Sequence, residues 1–310
     1  MSGPVLVTGS SGFVGRHLIA SLAVTGADVV AWSRSPLPPR SPDVRWQRVD
    51  LLSRDDVRAG IMAVKPQAVF HCAGVTQVDR SWTAPVEPLA SNVLGSHYLF
   101  DALRRAARPC RVLVTGSAAV YAPSATPLTE TAALAPDSPY AVSKLAQEAL
   151  GIRAVVEDGL DVIVTRSFNH TGPGQTAAFV APGIARQMAL VERGAMEPVI
   201  AAGNVEVQRD ITDVRDVIRA YLALMASGTP GEVYNVASGV GRTVRSIVDT
   251  LARIAGITVR IETDPSRLRP VDNPVLVGDA SKLRALTGWE PHVPFETMLT
   301  DLLDYWRAAA

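Results

Sequence analysis

Val5-Leu6-Val7-Thr8-Gly9-Ser10-Ser11-Gly12-Phe13-Val14-Gly15 opens the chain with an apolar run, a glycine-spaced turn and the start of a helical pattern. Val5, Leu6 and Val7 suit a buried strand, and Val14, Leu18, Ile19 and Leu22 recur at helical spacing after the turn. A strand that turns over glycines into a helix points unpaired backbone N–H groups at whatever lies before the helix, and the dipole there favours an anion. Gly9 permits the tight turn, Gly12 lets a pyrophosphate approach the backbone, and Gly15 lets the helix pack close to the strand. Strand before and helix after is the context that makes this spacing a dinucleotide fingerprint, with Ser11, Phe13 and Val14 inside it.

Working outward, the next strand, over 28–33, ends at Ser33 without the acidic residue that would bind a ribose 2′-hydroxyl; Arg34 follows instead. A guanidinium there suits a 2′-phosphate, and Arg16 just past the glycine turn adds a second positive group. The pattern favours NADP(H), with NAD(H) as the other possibility. A proline-rich surface loop over 36–42 leads to a strand over 44–49, then Asp50 and Leu51, a helix over 54–64 and a buried strand over 68–71. Asp50 is placed to accept from an adenine amine, while Ala73 and Gly74 let a cofactor pass close to the backbone. His71, in an apolar strand, reads as a satisfied core histidine. A helix over 92–105 precedes the strand 111–115, which brings Ser117 to the sheet edge where open α/β sheets bind ligands. The alternation predicts an α/β fold with a Rossmann-type, doubly wound parallel sheet.

Ser138-Pro139-Tyr140-Ala141-Val142-Ser143-Lys144 places Tyr140 and Lys144 at i and i+4 on one helix face, with Pro139 where a first turn tolerates it. An ammonium beside a phenol favours phenolate, which predicts a tyrosine pKa lowered from about 10 toward neutrality and a usable acid–base group.

The 310 residues are 47% hydrophobic, enough for a large core in two lobes, and the formal charge of zero offers no electrostatic footprint for nucleic acid or anionic lipid. No apolar stretch reaches the roughly 18 residues of a membrane span, and no secretory leader pattern opens the chain. A cytoplasmic protein is expected. Cys72 and Cys110 have no metal-ligand spacing and read as reduced packing residues.

Together, the glycine turn, Ser117 in Ser-Ala-Ala-Val-Tyr and the Tyr140/Lys144 pair resemble the extended short-chain dehydrogenase/reductase family acting on nucleotide sugars, along the whole chain. The resemblance implies Tyr140 as acid/base at the sugar oxygen, Lys144 on the nicotinamide ribose and Ser117 on the reacting oxygen. It also implies Ser33, Leu51, Asn92 and His170 near the cofactor. A smaller C-terminal α/β substrate lobe over 167–310, some of it returning to the sheet, would follow a cofactor domain over 1–166.

Phe168-Asn169-His170-Thr171-Gly172-Pro173-Gly174-Gln175, with Gly203-Asn204-Val205-Glu206 and Asp213-Val214-Arg215-Asp216, is similar to the GDP-linked 4-keto-6-deoxy-sugar reductases of that family. By that resemblance Asn169 and Val180 line the substrate site, and Arg186, Arg209 and Arg269 face the GDP. Relatives that dehydrate carry Glu where this chain has Ala119, and epimerase/reductases carry Cys there; a methyl group moves no proton. What remains is reduction of a 4-keto sugar. The rivals are an NAD-dependent nucleotide-sugar 4-epimerase and a non-catalytic nucleotide sensor. The resemblance further implies a homodimer pairing the helices near Asn92 and Tyr140.

Overall fold

The computed structural model describes residues 3–34, 44–268 and 273–309. The expected proline-rich loop over 36–42 and Arg269 lie outside them.

Strand β1 (Val5–Thr8) turns into α1 (Phe13–Val24), and β2 (Val29–Ser33) and β3 (Val44–Arg48) follow. Helix α2 (Arg54–Val64) has the limits its apolar spacing predicts. The Ser53 side chain accepts from Asp56 N at its start, with Asp55 and Asp56 in the first turn. Next come β4 (Ala68–His71) and the short helices α3 (Val78–Thr83) and α4 (Val86–Pro88). A π-helical turn at Leu89–Leu94 leads into α5 (Gly95–Ala106), then β5 (Arg111–Thr115). Helix α6 (Pro139–Asp158) carries Tyr140 and Lys144. Its Ser138 side chain caps Ala141 N, and Gly159 ends it in the left-handed region at φ 69°. Strand β6 (Asp161–Ser167) runs two residues beyond the expected end.

Past β6 the chain builds β7 (Asn169–Thr171), α7 (Val180–Glu192), β8 (Val199–Ala202) and β9 (Gln208–Asp213). Helix α8 (Val214–Ser227) and strand β10 (Val233–Val236) return to the large sheet. The remainder is β11 (Gly241–Thr243), α9 (Val244–Ala255), β12 (Arg260–Thr263), β13 (Val275–Leu276), α10 (Ser281–Thr287) and α11 (Phe295–Ala309).

Among the described residues, seven strands form one parallel sheet in the order β3-β2-β1-β4-β5-β6-β10. The order reverses at β1, the switch point at which such sheets open a crevice. Side chains alternate across it: Val5 and Val7 join α1 and α8 in one core, and Leu6 joins α2 and α5 in the other. Each fully buried Leu or Val there contributes about 1.5–3 kcal/mol. A third core joins α7, α9 and α11 around Met188, Leu251 and Leu299. No helix among the described residues is long and apolar enough to cross a membrane.

Candidate active site

A cavity of about 680 Å³ starts at the glycine turn and continues along the carboxyl ends of the strands to β9. Its first wall is cut to fit backbone. A Cβ on Gly15 would stand 2.3 Å from the Gly9 carbonyl oxygen, and one on Gly9, held at φ 65°, would stand 2.6 Å from the Ala73 backbone. Gly12 caps α1 without a side chain, so the helix N-terminus is bare toward the cavity. Ser11, Phe13, Val14, Ser33, Arg34, Asp50, Leu51, Ala73 and Gly74 border the same space. The Ser33 hydroxyl donates to Ser11 Oγ at 3.0 Å, which ties the end of β2 to the turn. This cradle fits a dinucleotide, and Arg34 at its β2 rim fits a 2′-phosphate.

Two groups expected at the cofactor stand differently. Arg16 is off the cavity wall, because its Nη2 donates to the Gly174 carbonyl at 3.1 Å and helps dock that turn on α1. Asn92 is fully buried below the wall: its Oδ1 accepts from Val75 N at 2.9 Å and its Nδ2 donates to Ser143 Oγ at 2.8 Å. It holds the backbone at Gly74, where a Cβ would meet Asn92 Oδ1 at 2.3 Å.

Farther in, Ser117, Tyr140 and Lys144 share the cavity wall. Ser117 begins a 3₁₀ turn over Ala118–Val120, and its Oγ accepts from Ala119 N at 3.2 Å. The expected lowering of the Tyr140 pKa is corrected by the geometry. Burial raises it, and the lowering influence comes from the Ser117 side chain rather than from Lys144. The reason is where the amine points: Lys144 Nζ donates to the Thr115 carbonyl at 2.8 Å and to Gln147 Oε1 at 2.9 Å. Burial also lowers Lys144 to about 8. Cys72, expected simply to pack, borders the cavity as well; burial pushes its thiol up to about 12, so it stays protonated and inert.

The far end is built by the second half of the chain. Asn169, His170 and Val180 border it, and the His170 ring lies parallel to Phe13 at 6.2 Å. Burial lowers the His170 pKa, favouring a neutral ring. Arg209 also reaches the wall, but its Nη1 donates to the Gln208 and Asn273 carbonyls at 2.9 and 2.7 Å. Arg186 sits on the exposed side of α7, off the wall. Sequence reasoning overlooked Tyr121, Phe179 and Gln175, which line the cavity too. The aromatic pair at 121 and 168, rings 6.1 Å apart, had no local signal because it joins segments far apart in sequence.

The arrangement brings a bare helix N-terminus, Ser117, a buried tyrosine and a lysine together in one crevice at the switch point. A family model described as GDP-mannose 4,6 dehydratase matches residues 6–302. The chain belongs to the GDP-mannose 4,6 dehydratase family. Among its relatives is the GDP-6-deoxy-D-mannose reductase of Pseudomonas aeruginosa, 37% identical over 311 residues, covering 99% of this chain and 98% of that one. The UDP-glucose 4-epimerase of Azospirillum brasilense is 31% identical, covering 98% and 92%. The solved structure of RMD from Pseudomonas aeruginosa complexed with NADPH superimposes with a TM-score of 0.87 at 35% identity, covering 100% of both chains. The parallel sheet with flanking helices is thus the fold of this family.

Proposed function

We propose that the chain reduces the ketone of GDP-4-keto-6-deoxy-D-mannose to give GDP-D-rhamnose, using NADPH. The observation that carries this reading is the meeting of Ser117, Tyr140 and Lys144 on the wall of a crevice whose other end is the glycine cradle.

Reducing a ketone takes a hydride to carbon and a proton to oxygen, and bound NADPH supplies the hydride. Burial keeps the Tyr140 phenol protonated, so it is loaded to give its proton to the ketone oxygen. The Ser117 hydroxyl donates a hydrogen bond to that same oxygen as negative charge grows on it. The Ser117 hydroxyl, the one group that lowers the Tyr140 pKa, stabilises the phenolate left behind, and Lys144, turned to Thr115 and Gln147, would present its remaining N–H to the nicotinamide ribose. Ala119 on the wall brings no carboxylate or thiol, so a proton cannot be moved at a ring carbon from that position. Arg34 favours the phosphorylated cofactor, and the similarity to the Pseudomonas reductase supports a GDP-linked substrate held by Asn169, Val180 and Arg209.

The test is NADPH oxidation with GDP-4-keto-6-deoxy-D-mannose, followed by NMR of the sugar product. Faster turnover of UDP- or dTDP-linked substrates overturns the substrate. The similarity to UDP-glucose 4-epimerases favours a second reading, since oxidation and re-reduction at one carbon use the same three groups. Stoichiometric NAD released from the denatured protein would support it against the reductase. A cytosolic homodimer is part of the same proposal. Val86, Leu89, Leu94 and Val142 are apolar and exposed beside the Asn92 and Tyr140 segments, and both cysteines are free thiols.

A further inference from the structure

Lys144 is the end of a buried chain of hydrogen bonds that the reaction itself does not use. Its Nζ donates to Gln147 Oε1 at 2.9 Å, and Gln147 Nε2 donates to Ser96 Oγ at 2.8 Å. Ser96 Oγ lies 2.8 Å from His71 Nε2, and His71 Nδ1 lies 2.8 Å from Thr8 Oγ1. Thr8 Oγ1 accepts in turn from Ala73 N at 3.2 Å. Gln147, Ser96, His71 and Thr8 are all fully buried.

Counting protons fixes every direction. Ser96 donates its one hydrogen to the Asn92 carbonyl at 2.6 Å, so it must accept from both Gln147 and His71. His71 therefore carries its proton on Nε2, and its Nδ1 accepts from the Thr8 hydroxyl. Burial, then the charge on Lys144, lowers His71 to about 3, so the ring stays neutral and the order does not reverse. The amide of Gln147 has one orientation that satisfies both ends. Its oxygen is thereby turned to Lys144 by groups on β1, β4 and α5.

We propose that Gln147, braced through Ser96 by His71, is a positioning residue for Lys144, holding the amine against the sheet so that one N–H remains for the cavity. The inference rests on the reading of Lys144 as the group that presents an N–H to the nicotinamide ribose. Of the three ammonium protons, one goes to the Thr115 carbonyl and one to Gln147. Among the described residues the third has no protein partner, and Lys144 borders the cavity. The acceptors are both neutral, so they orient the amine without supplying a counter-charge. The titratable groups around it are His71 and Cys72 from the end of β4 and Tyr140 one turn earlier on α6; the first two are held uncharged by burial. An uncompensated, buried ammonium titrates low, which matches its value of about 8.

The chain has three lysines, Lys65, Lys144 and Lys282, so a protein labelled with [ε-¹³C]lysine gives three ε-carbon signals, of which that of Lys144 is followed against pH without cofactor or substrate. Gln147→Glu puts a carboxylate at the amine and is expected to move the Lys144 titration up by about one unit or more. Gln147→Met removes the acceptor and is expected to move it down, while His71→Asn, which unseats Ser96, moves it less in the same direction. A Lys144 titration identical in the parent, Gln147→Glu and Gln147→Met proteins overturns the proposal. If the titrations move as expected while Tyr140→Phe keeps full activity, the positioning survives and the proposed function fails.

Discussion

Arg166 and Glu148 meet in a bidentate pair: Nε donates to Oε2 at 2.9 Å and Nη2 to Oε1 at 2.6 Å, with each side chain 5% exposed. Glu148 lies one turn past Lys144 on α6, and Arg166 on β6 also covers the Tyr121 ring with its guanidinium at 4.8 Å. The pair thus clamps α6 to the sheet and to one wall of the cavity. Glu148→Gln leaves a buried guanidinium without its counter-charge and is expected to destabilise by roughly 3–5 kcal/mol. Urea unfolding of the two proteins measures it; a loss within error would show that the pair is dispensable.

Lys144 gives a pH signature with a fixed sign. Unfolded, its amine titrates at its ordinary 10.5, and folded, burial lowers it to about 8. Between those values the unfolded chain binds the extra proton, so this group's contribution to stability rises with pH. The parent is expected to gain on Lys144→Met from about pH 8 to pH 10.5, by at most on the order of 3 kcal/mol. Urea midpoints at pH 7 and pH 10 decide, and a constant difference contradicts it.

Tyr140→Phe removes the proton donor and little volume. A fall in kcat of about 10²- to 10⁴-fold is expected, with NADPH affinity unchanged. Parent-like turnover would sink the acid–base assignment.

Gly15→Ala forces a methyl against the Gly9 carbonyl, 2.3 Å away in ideal geometry, so the turn or the helix must shift. NADPH affinity, followed by nicotinamide fluorescence, is expected to fall about tenfold or more, since a near-angstrom displacement disturbs every N–H aimed at the pyrophosphate.

Arg34→Asp exchanges a guanidinium for a carboxylate at the end of β2. The ratio of kcat/KM for NADPH to that for NADH is expected to drop by about tenfold or more. An unchanged ratio would place the 2′-phosphate elsewhere.

Strands β1, β2, β4 and β5 of the large sheet were legible because they are short, mostly apolar runs bounded by turn residues, whereas its edge strands β3 and β10 carry polar residues and β10 was not read as a strand. Helix α2 and strands β4 and β5 have the limits read from the sequence for that reason. The small sheet was not legible. Strand β9, Gln208-Arg209-Asp210-Ile211-Thr212-Asp213, is mostly polar and is made a strand by pairing with β7, β11 and β13. At the site, spacing put Tyr140 and Lys144 on one face, but it could not reveal that Thr115 and Gln147 draw the amine away from the phenol. Gln147, three residues after Lys144 on one helix, was within reach of the same spacing rule; Ser96 and His71 were not. Arg209 and Arg186 were equally arginine-like in sequence, and only tertiary packing separates the one on the wall from the one facing out.

The last strand of the large sheet, β10, is delivered only after α7, β8, β9 and α8 have been made. Until then Asp161–Ser167 is an open ribbon with its peptide groups unclaimed on one side. During synthesis this creates a window in which neighbouring nascent chains can zip together, and it narrows when β10 docks and closes further when Lys282 reaches the Val233 carbonyl on the new edge. Chaperone demand should therefore peak late in translation of this protein, well after its nucleotide cradle has emerged.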